Sequence, residues 1–285
     1  MKLGAHVSTA GGVHNAVDRA QEIGAEAIQI FASSPRAWAF KPPKEEHLLA
    51  FHEKSREVGL GPIFLHGSYL VNVGGTPELV EKSVQSLTQH MNAAGQLGAE
   101  GVIFHSGSHK GVGFDTVLDQ AAAALTEVLS NTPEEVQLII ENCAGMGAQI
   151  GASFQELGRM IKAVDNDRLK ICLDTEHAFA AGYNIADPDA IDAAMKEFDD
   201  EIGLDRLVVV HANDAKVEFG SGVDRHENIG DGHIGLDGFQ TIMGHSAFRD
   251  VPFLLVVPGV DKKGPDKVNL DKLKAIRTIL NVPMC

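Results

Sequence analysis

The sequence predicts a single (βα)8 barrel, a TIM barrel in the α/β class, and three observations lead there. The chain has 285 residues, close to the roughly 250 that such a barrel needs. Eight short runs recur at fairly even spacing and are apolar throughout, as parallel strands covered on both faces are. A pattern with apolar residues at i, i+3 and i+4 follows each run and marks an amphipathic helix. With 44% hydrophobic and 22% charged residues, there is apolar side chain enough for a large core.

The elements follow in order. Lys2–Ala5 is the first strand and Gly12–Ile23 the first helix. Ala27–Phe31 leads into Lys44–Val58. Ile63–His66 leads into Pro77–Leu97, where Thr76 stands as cap before a first-turn proline. Gly101–His105 precedes Phe114–Leu129, and Leu138–Asn142 precedes Ser153–Val164. Leu169–Asp174 precedes Pro188–Ile202, with Asp187 again a cap before proline. Leu207–Ala212 and Leu236–Met243 form the seventh unit, Phe253–Val257 and Leu270–Leu280 the eighth. Strand–helix units repeated in this way close into a parallel barrel. An open doubly wound sheet would need a glycine-rich phosphate loop after the first strand, and Gly11-Gly12 is too short for one. No linker or low-complexity tract interrupts the pattern, so residues 1–285 are expected to form one catalytic domain.

The formal net charge is −15. Taken by itself this speaks against a nucleic-acid partner. The objection weakens if the acidic residues hold metal, because divalent ions concentrate positive charge at one spot. No apolar run is long enough to span a membrane, and MKLGAHVSTAGG has no signal-peptide pattern. Cys143, Cys172 and Cys285 show no zinc-type spacing, which fits a reducing cytoplasm, and Cys143 and Cys172 read as core residues.

In a barrel of this kind the chemistry sits at the C-terminal ends of the strands. The third run ends in His66, the fourth in His105, the fifth in Glu141 and the sixth in Asp174, with His177 just beyond. The seventh ends in His211, and the loop after it carries Asp224 and His226 in VDRHENIG. Any one of these reads most simply as a hydrogen-bonded core histidine or a helix-capping aspartate. As a set on consecutive strands they read as metal ligands converging on one mouth. Asp224 and His226 sit in a long loop, where Asp-x-His also serves turn chemistry. His6 and His109 could line the same mouth in support. His14, His47, His52 and His90 lie in helical patterns and are expected at the surface. Imidazoles mixed with carboxylates suit zinc, with manganese as an alternative. A carboxylate such as Glu141 can bridge two ions, and paired ions clamp both oxygens of a phosphoester displacement. No serine sits in a G-x-S-x-G elbow and no cysteine lies beside an obvious base, so a covalent nucleophile is not indicated.

These residues lie in stretches that resemble the endonuclease IV family, the metal-dependent apurinic/apyrimidinic endonucleases. The stretches are GAHVSTAGG (4–12), HGSYLVN (66–72), FHSGSH (104–109), IENCAG (140–145), LDTEHAFAAGY (173–183), HANDAK (211–216) and GSGVDRHENIGDGHIG (220–235). The resemblance covers nearly the whole chain. It implies three zinc ions: one held by His66, His105 and Glu141, one by Glu141, Asp174 and His211, one by His177, Asp224 and His226. Glu141, Asp174 and His177 would be the residues nearest the reaction. The implied reaction is hydrolysis of the phosphodiester 5′ of an abasic site in double-stranded DNA by a monomer. The resemblance also assigns Arg36 to insertion into the duplex, and Tyr69 and Leu70 to a wedge beside the flipped nucleotide, as apolar wedges stabilise unstacked DNA. At one position the chain departs from the family, whose eighth strand ends in glutamate: LLVVPG (254–259) places Val256 there. Valine cannot bind metal, so the second ion is expected to be held more loosely and the activity to be reduced. Two other readings remain. A sugar isomerase or epimerase on the same barrel would need one ion and no use for His66, His105, His177, Asp224 and His226. A damaged-DNA-binding paralogue would keep the wedge and not cut.

Overall fold

A computed structural model of the chain describes residues 1–283; Cys285 lies outside them. Among the described residues, eight strands close into a parallel barrel: β1 (Leu3–His6), β2 (Ala27–Ile30), β3 (Ile63–His66), β4 (Gly101–His105), β5 (Gln137–Glu141), β6 (Leu169–Asp174), β7 (Leu207–Ala212) and β10 (Phe253–Leu255). Neighbours follow chain order, and β1 completes the ring by pairing with both β2 and β10. Two short strands, β8 (Asp214–Ala215) and β9 (His226–Glu227), form a separate antiparallel pair above the barrel. The outer layer consists of α1 (Asn15–Ile23), α2 (Glu45–Val58), α3 (Pro77–Leu97), α4 (Phe114–Ser130), α5 (Phe154–Val164), α7 (Ile191–Glu201), α8 (Gly235–Gly244) and α9 (Lys267–Ile279). One further helix, α6 (Thr175–Ala181), follows β6 without a loop. No described helix is long and apolar enough to cross a membrane.

Several boundaries move for local reasons. The first helix starts at Asn15 instead of Gly12 because the chain first turns at residues 10–14. Pro188 belongs to a turn fixed by the Asp189 N–H donating to Asp187 Oδ1, and the helix begins at Ile191. The last helix starts earlier than Leu270, because the Asp266 side chain accepts the Asn269 N–H and caps it. The last strand stops at Leu255, so Val256 lies just beyond it. The helix α6 was not expected. Asp174 both ends the strand and caps the helix through its Oδ1, which accepts the His177 N–H at 3.1 Å. His90 also departs from expectation: it is buried, stacks edge-on with Phe40 and donates from Nδ1 to the Ser86 carbonyl.

Two apolar layers follow from the period-2 geometry of the strands. One lies between the strands and the helices, with Phe51, Leu87, Leu125, Phe154, Phe198 and Phe239 among its buried members. The other fills the barrel interior with Ala27, Phe64, Ile103, Ile139, Cys172, Val209 and Leu254. Gly4 completes this ring on β1: a Cβ there would lie 1.9 Å from the Ala27 carbonyl oxygen and 2.8 Å from Leu254 Cδ2. Cys143 and Cys172 are buried free thiols, and burial pushes the Cys143 thiol up to about 12. They are core residues, with no nucleophilic character.

Candidate metal centre

Two residues beyond each interior residue, the strand again points inward. Those positions are His6, Gln29, His66, His105, Glu141, Asp174, His211 and Val256. The apolar plug therefore forms the floor of the site, and the next layer up is polar on seven of eight strands. Above it lies a cleft of about 550 Å³ lined by, among others, His66, Tyr69, His105, Glu141, His177, His211, Asp224, His226 and Val256.

The sequence-derived ligand candidates come together here. His66, His105 and Glu141 form one group able to hold an ion; Glu141, Asp174 and His211 form a second. The two oxygens of Glu141 serve both: Oε2 lies 3.2 Å from His66 Nε2 and 3.6 Å from His105 Nε2, while Oε1 lies 2.9 Å from His211 Nδ1. A third group joins Asp174, Glu176, His177 and His226. Asp224 adds its carboxylate to that group, 3.3 Å from His177 Nε2 and 3.5 Å from His226 Nε2. In a tetrahedral zinc site with bonds of about 2.0–2.2 Å, neighbouring donor atoms stand about 3.3–3.6 Å apart; the Glu141–His105, Asp224–His177 and Asp224–His226 pairs show that spacing, while Glu141 and His211 are at hydrogen-bond distance.

The orientation of each ring has a cause. His66 Nδ1–H donates to the Gly67 carbonyl, His177 Nδ1–H to that of Asn142 and His226 Nδ1–H to that of Val256. Each bond fixes the ring's orientation and turns Nε2 toward the cluster. His177 Nε2 and His226 Nε2 thereby face each other at 3.5 Å. Two imidazole nitrogens converging with the Asp224 carboxylate at 3.3–3.5 Å are a donor set that fits a metal ion. His211 is reversed: Nε2–H donates to Gln29 Oε1 at 2.8 Å, and Nδ1 faces Glu141. Gln29 in turn donates from Nε2 to His6 Nδ1. Asp174 is held by Asn213, whose Nδ2 donates to Oδ2 at 2.6 Å, and by Asn142, whose Oδ1 accepts the Asp174 N–H.

The electrostatics are those of a cation site. Glu141, Asp174 and Glu176 are essentially without exposure. Among the described residues their charged partners are histidines, and no lysine or arginine pairs with them. Burial would raise the Glu141 carboxyl, but His105, His211 and His66 hold it well below the usual range. Burial would likewise lower His177, and Asp174, Asp224 and Glu141 instead hold it well above the usual imidazole value. Burial and then the Asp174 charge push Glu176 up to about 7.

Other candidates fall as follows. Tyr69 is 48% exposed on the rim, its ring 5.4 Å from that of His66. Leu70 lines the cleft beside it. Arg36 is exposed on the neighbouring loop, which is tied to the Tyr69 loop by the Tyr69 N–H and Ser68 Oγ donating to the Pro35 carbonyl. His109 is engaged within its own turn, its Nδ1 accepting the Gly111 and Gly113 N–H groups. Val256 presents an isopropyl group at its inward position. Its backbone is nonetheless engaged, the N–H donating to Asn213 Oδ1 and the carbonyl accepting from His226. Gln29, Asn142, Asn213 and Glu176 were missed from the sequence. Inward phase, counted from the interior residues, is the signal that finds Gln29.

Fold and site together define a metal-binding barrel, and residues 17–279 match the model of the xylose isomerase-like TIM barrel family. The probable endonuclease 4 of Haloarcula marismortui is 40% identical over 279 residues, 97% of this chain and 99% of that protein. The crystal structure of endonuclease IV from Thermus thermophilus superposes with a TM-score of 0.87 at 34% identity, covering 98% of this chain and 100% of the other. The chain belongs to the endonuclease IV family. A D-tagatose 3-epimerase-like protein shares the fold alone, with a TM-score of 0.74 at 19% identity over 99% of this chain and 98% of that one.

Proposed function

We propose that this protein is a zinc-dependent apurinic/apyrimidinic endonuclease that hydrolyses the phosphodiester 5′ of an abasic site in double-stranded DNA. The observation that carries the proposal is the pair of imidazole Nε2 atoms facing each other at 3.5 Å beside Asp224, next to a Glu141 whose two oxygens face different histidines. A sugar isomerase needs one ion and does not account for three donor groups. Divalent ions, when bound, lower the pKa of water and neutralise charge on the phosphate. The protein's own side chains do the rest. His66, His105 and the Oε2 side of Glu141 would hold one ion, while His211, Asp174 and Oε1 would hold a second. His177, Asp224 and His226 would hold a third. Glu141, Asp174 and His177 would stand nearest the scissile bond. Arg36, Tyr69 and Leu70 would grip the duplex and fill the gap beside the extruded nucleotide.

A binding protein that does not cut is the second reading, and Val256 is the observation behind it. The second group keeps Glu141, Asp174 and His211, and three protein ligands still suffice for a catalytic zinc with an open position. The test is incision of a duplex carrying one abasic site by three purified proteins: the native chain, Val256→Glu and Glu141→Gln. Cutting by the native chain, faster cutting by Val256→Glu and none by Glu141→Gln is the expected set. A native chain that binds the duplex without cutting, with Val256→Glu active, would replace the proposal by the binding reading.

A further inference from the structure

We infer that Glu176 is itself a metal ligand, binding through Oε2 the cation held by His177, Asp224 and His226. The inference rests on the metal-centre reading above and adds a donor that the sequence motifs did not assign. The Glu176 side chain is 0% exposed. Its Oε1 accepts the Arg225 N–H at 2.9 Å, which ties down the loop carrying Asp224 and His226. Its Oε2 is buried and has no hydrogen-bond partner among the described residues. A carboxylate oxygen left unpaired inside a protein is costly, and native structures seldom keep one without a reason.

Position supplies the reason. Glu176 and His177 are adjacent on α6, whose start is fixed by the Asp174 cap. Glu176 Oε2 lies 3.9 Å from His177 Nε2, and the Asp174, Glu176, His177 and His226 donor atoms all fall within 4.8 Å of one another. A role confined to clamping the 225 loop explains Oε1 and leaves Oε2 unexplained. A ligand role explains both oxygens. With Glu176 the cation assigned to His177, Asp224 and His226 would have four protein donors, where the first and second groups offer three each.

The test uses the full chain stripped by chelator and reloaded with zinc or cobalt. Zinc affinity is read by competition with a chromophoric chelator, and the cobalt visible spectrum reports the ligand set. Glu176→Gln keeps the shape and an acceptor for the Arg225 N–H. It is expected to weaken one equivalent of zinc by about 10-fold or more and to alter the cobalt spectrum, with the other equivalents unchanged. Unaltered affinity and spectrum would overturn the inference. Anomalous diffraction at the zinc edge on the unmutated protein gives a readout that does not depend on a variant folding. A peak within about 2.2 Å of Glu176 Oε2 supports the ligand role, and a third ion lying clear of that atom overturns it. A native chain that takes up no zinc would overturn the metal-centre reading itself, an outcome distinct from the loss of one equivalent.

Discussion

Gln29 shows how much of the site depends on one uncharged side chain. It is fully buried and spans His211 and His6 with two hydrogen bonds of 2.8 Å. Gln29→Leu removes the acceptor that fixes the His211 tautomer, and zinc affinity at the second group should fall by about 10- to 100-fold. Chelator competition measures this, and an unchanged affinity would show that His211 needs no such support. His66, His105, Glu141, Asp174 and His211 were legible because each stands at the end of an apolar run as a metal-ligand residue type, whereas His177, Asp224 and His226 were legible through the stretches that resemble the family. Gln29 was not, since glutamine is a poor ligand and its run ends at Phe31. Glu176 was hidden differently: it stands between Asp174 and His177, and only the α6 geometry reveals that its Oε2 points at the cluster.

At the scale of elements, the loop carrying Asp224 and His226 is held by β8. Asp214 is fully buried and accepts N–H groups from Ala215, Gly230, Gly232, Ile234 and Gly235. Asp214→Ala leaves these donors unpaired, and urea unfolding should show a loss of about 3 kcal/mol or more. The same variant should bind the third ion more weakly, because β8 pairs with β9, which contains His226. A loss within about 0.5 kcal/mol would mean that the loop finds other partners. The long elements were readable from the sequence, their amphipathic periods being several turns deep. Two-residue strands such as β8 and β9 carry no period to read, and α6 is too short to show one beyond its cap. The end of β10 was misplaced by two residues, because Val256 and Val257 continue the apolar run although the strand stops at Leu255.

Over the whole molecule, closure of the barrel joins the first strand to the last helix. Arg277 donates from Nη1 and Nη2 to the Glu26 carboxylate and from Nη1 to the Met1 carbonyl, while Glu26 also accepts the Leu3 N–H. Burial would raise the Glu26 carboxyl, but Arg277 and the Leu3 N–H hold it below its usual value. A carboxyl depressed in the folded state contributes stability at neutral pH that disappears as pH falls through its folded pKa. Arg277→Ala should therefore lower stability at pH 7 and flatten the acid part of the stability–pH curve, as read by denaturant unfolding across pH 2–7. Curves that run parallel would show that the pair contributes nothing to acid sensitivity. Closure also depends on Gly4. Gly4→Ala forces a methyl against the Ala27 carbonyl and should cost about 3 kcal/mol or more; a melting temperature unchanged from the native chain would refute that tight approach. The most direct measurement of the whole is incision of a duplex bearing one abasic site by the native chain, first stripped of metal and then supplied with zinc. The expected result is a single cut 5′ of the site leaving a 3′-hydroxyl, absent without metal and restored by zinc. A zinc-loaded chain that leaves the duplex intact would contradict the nuclease assignment.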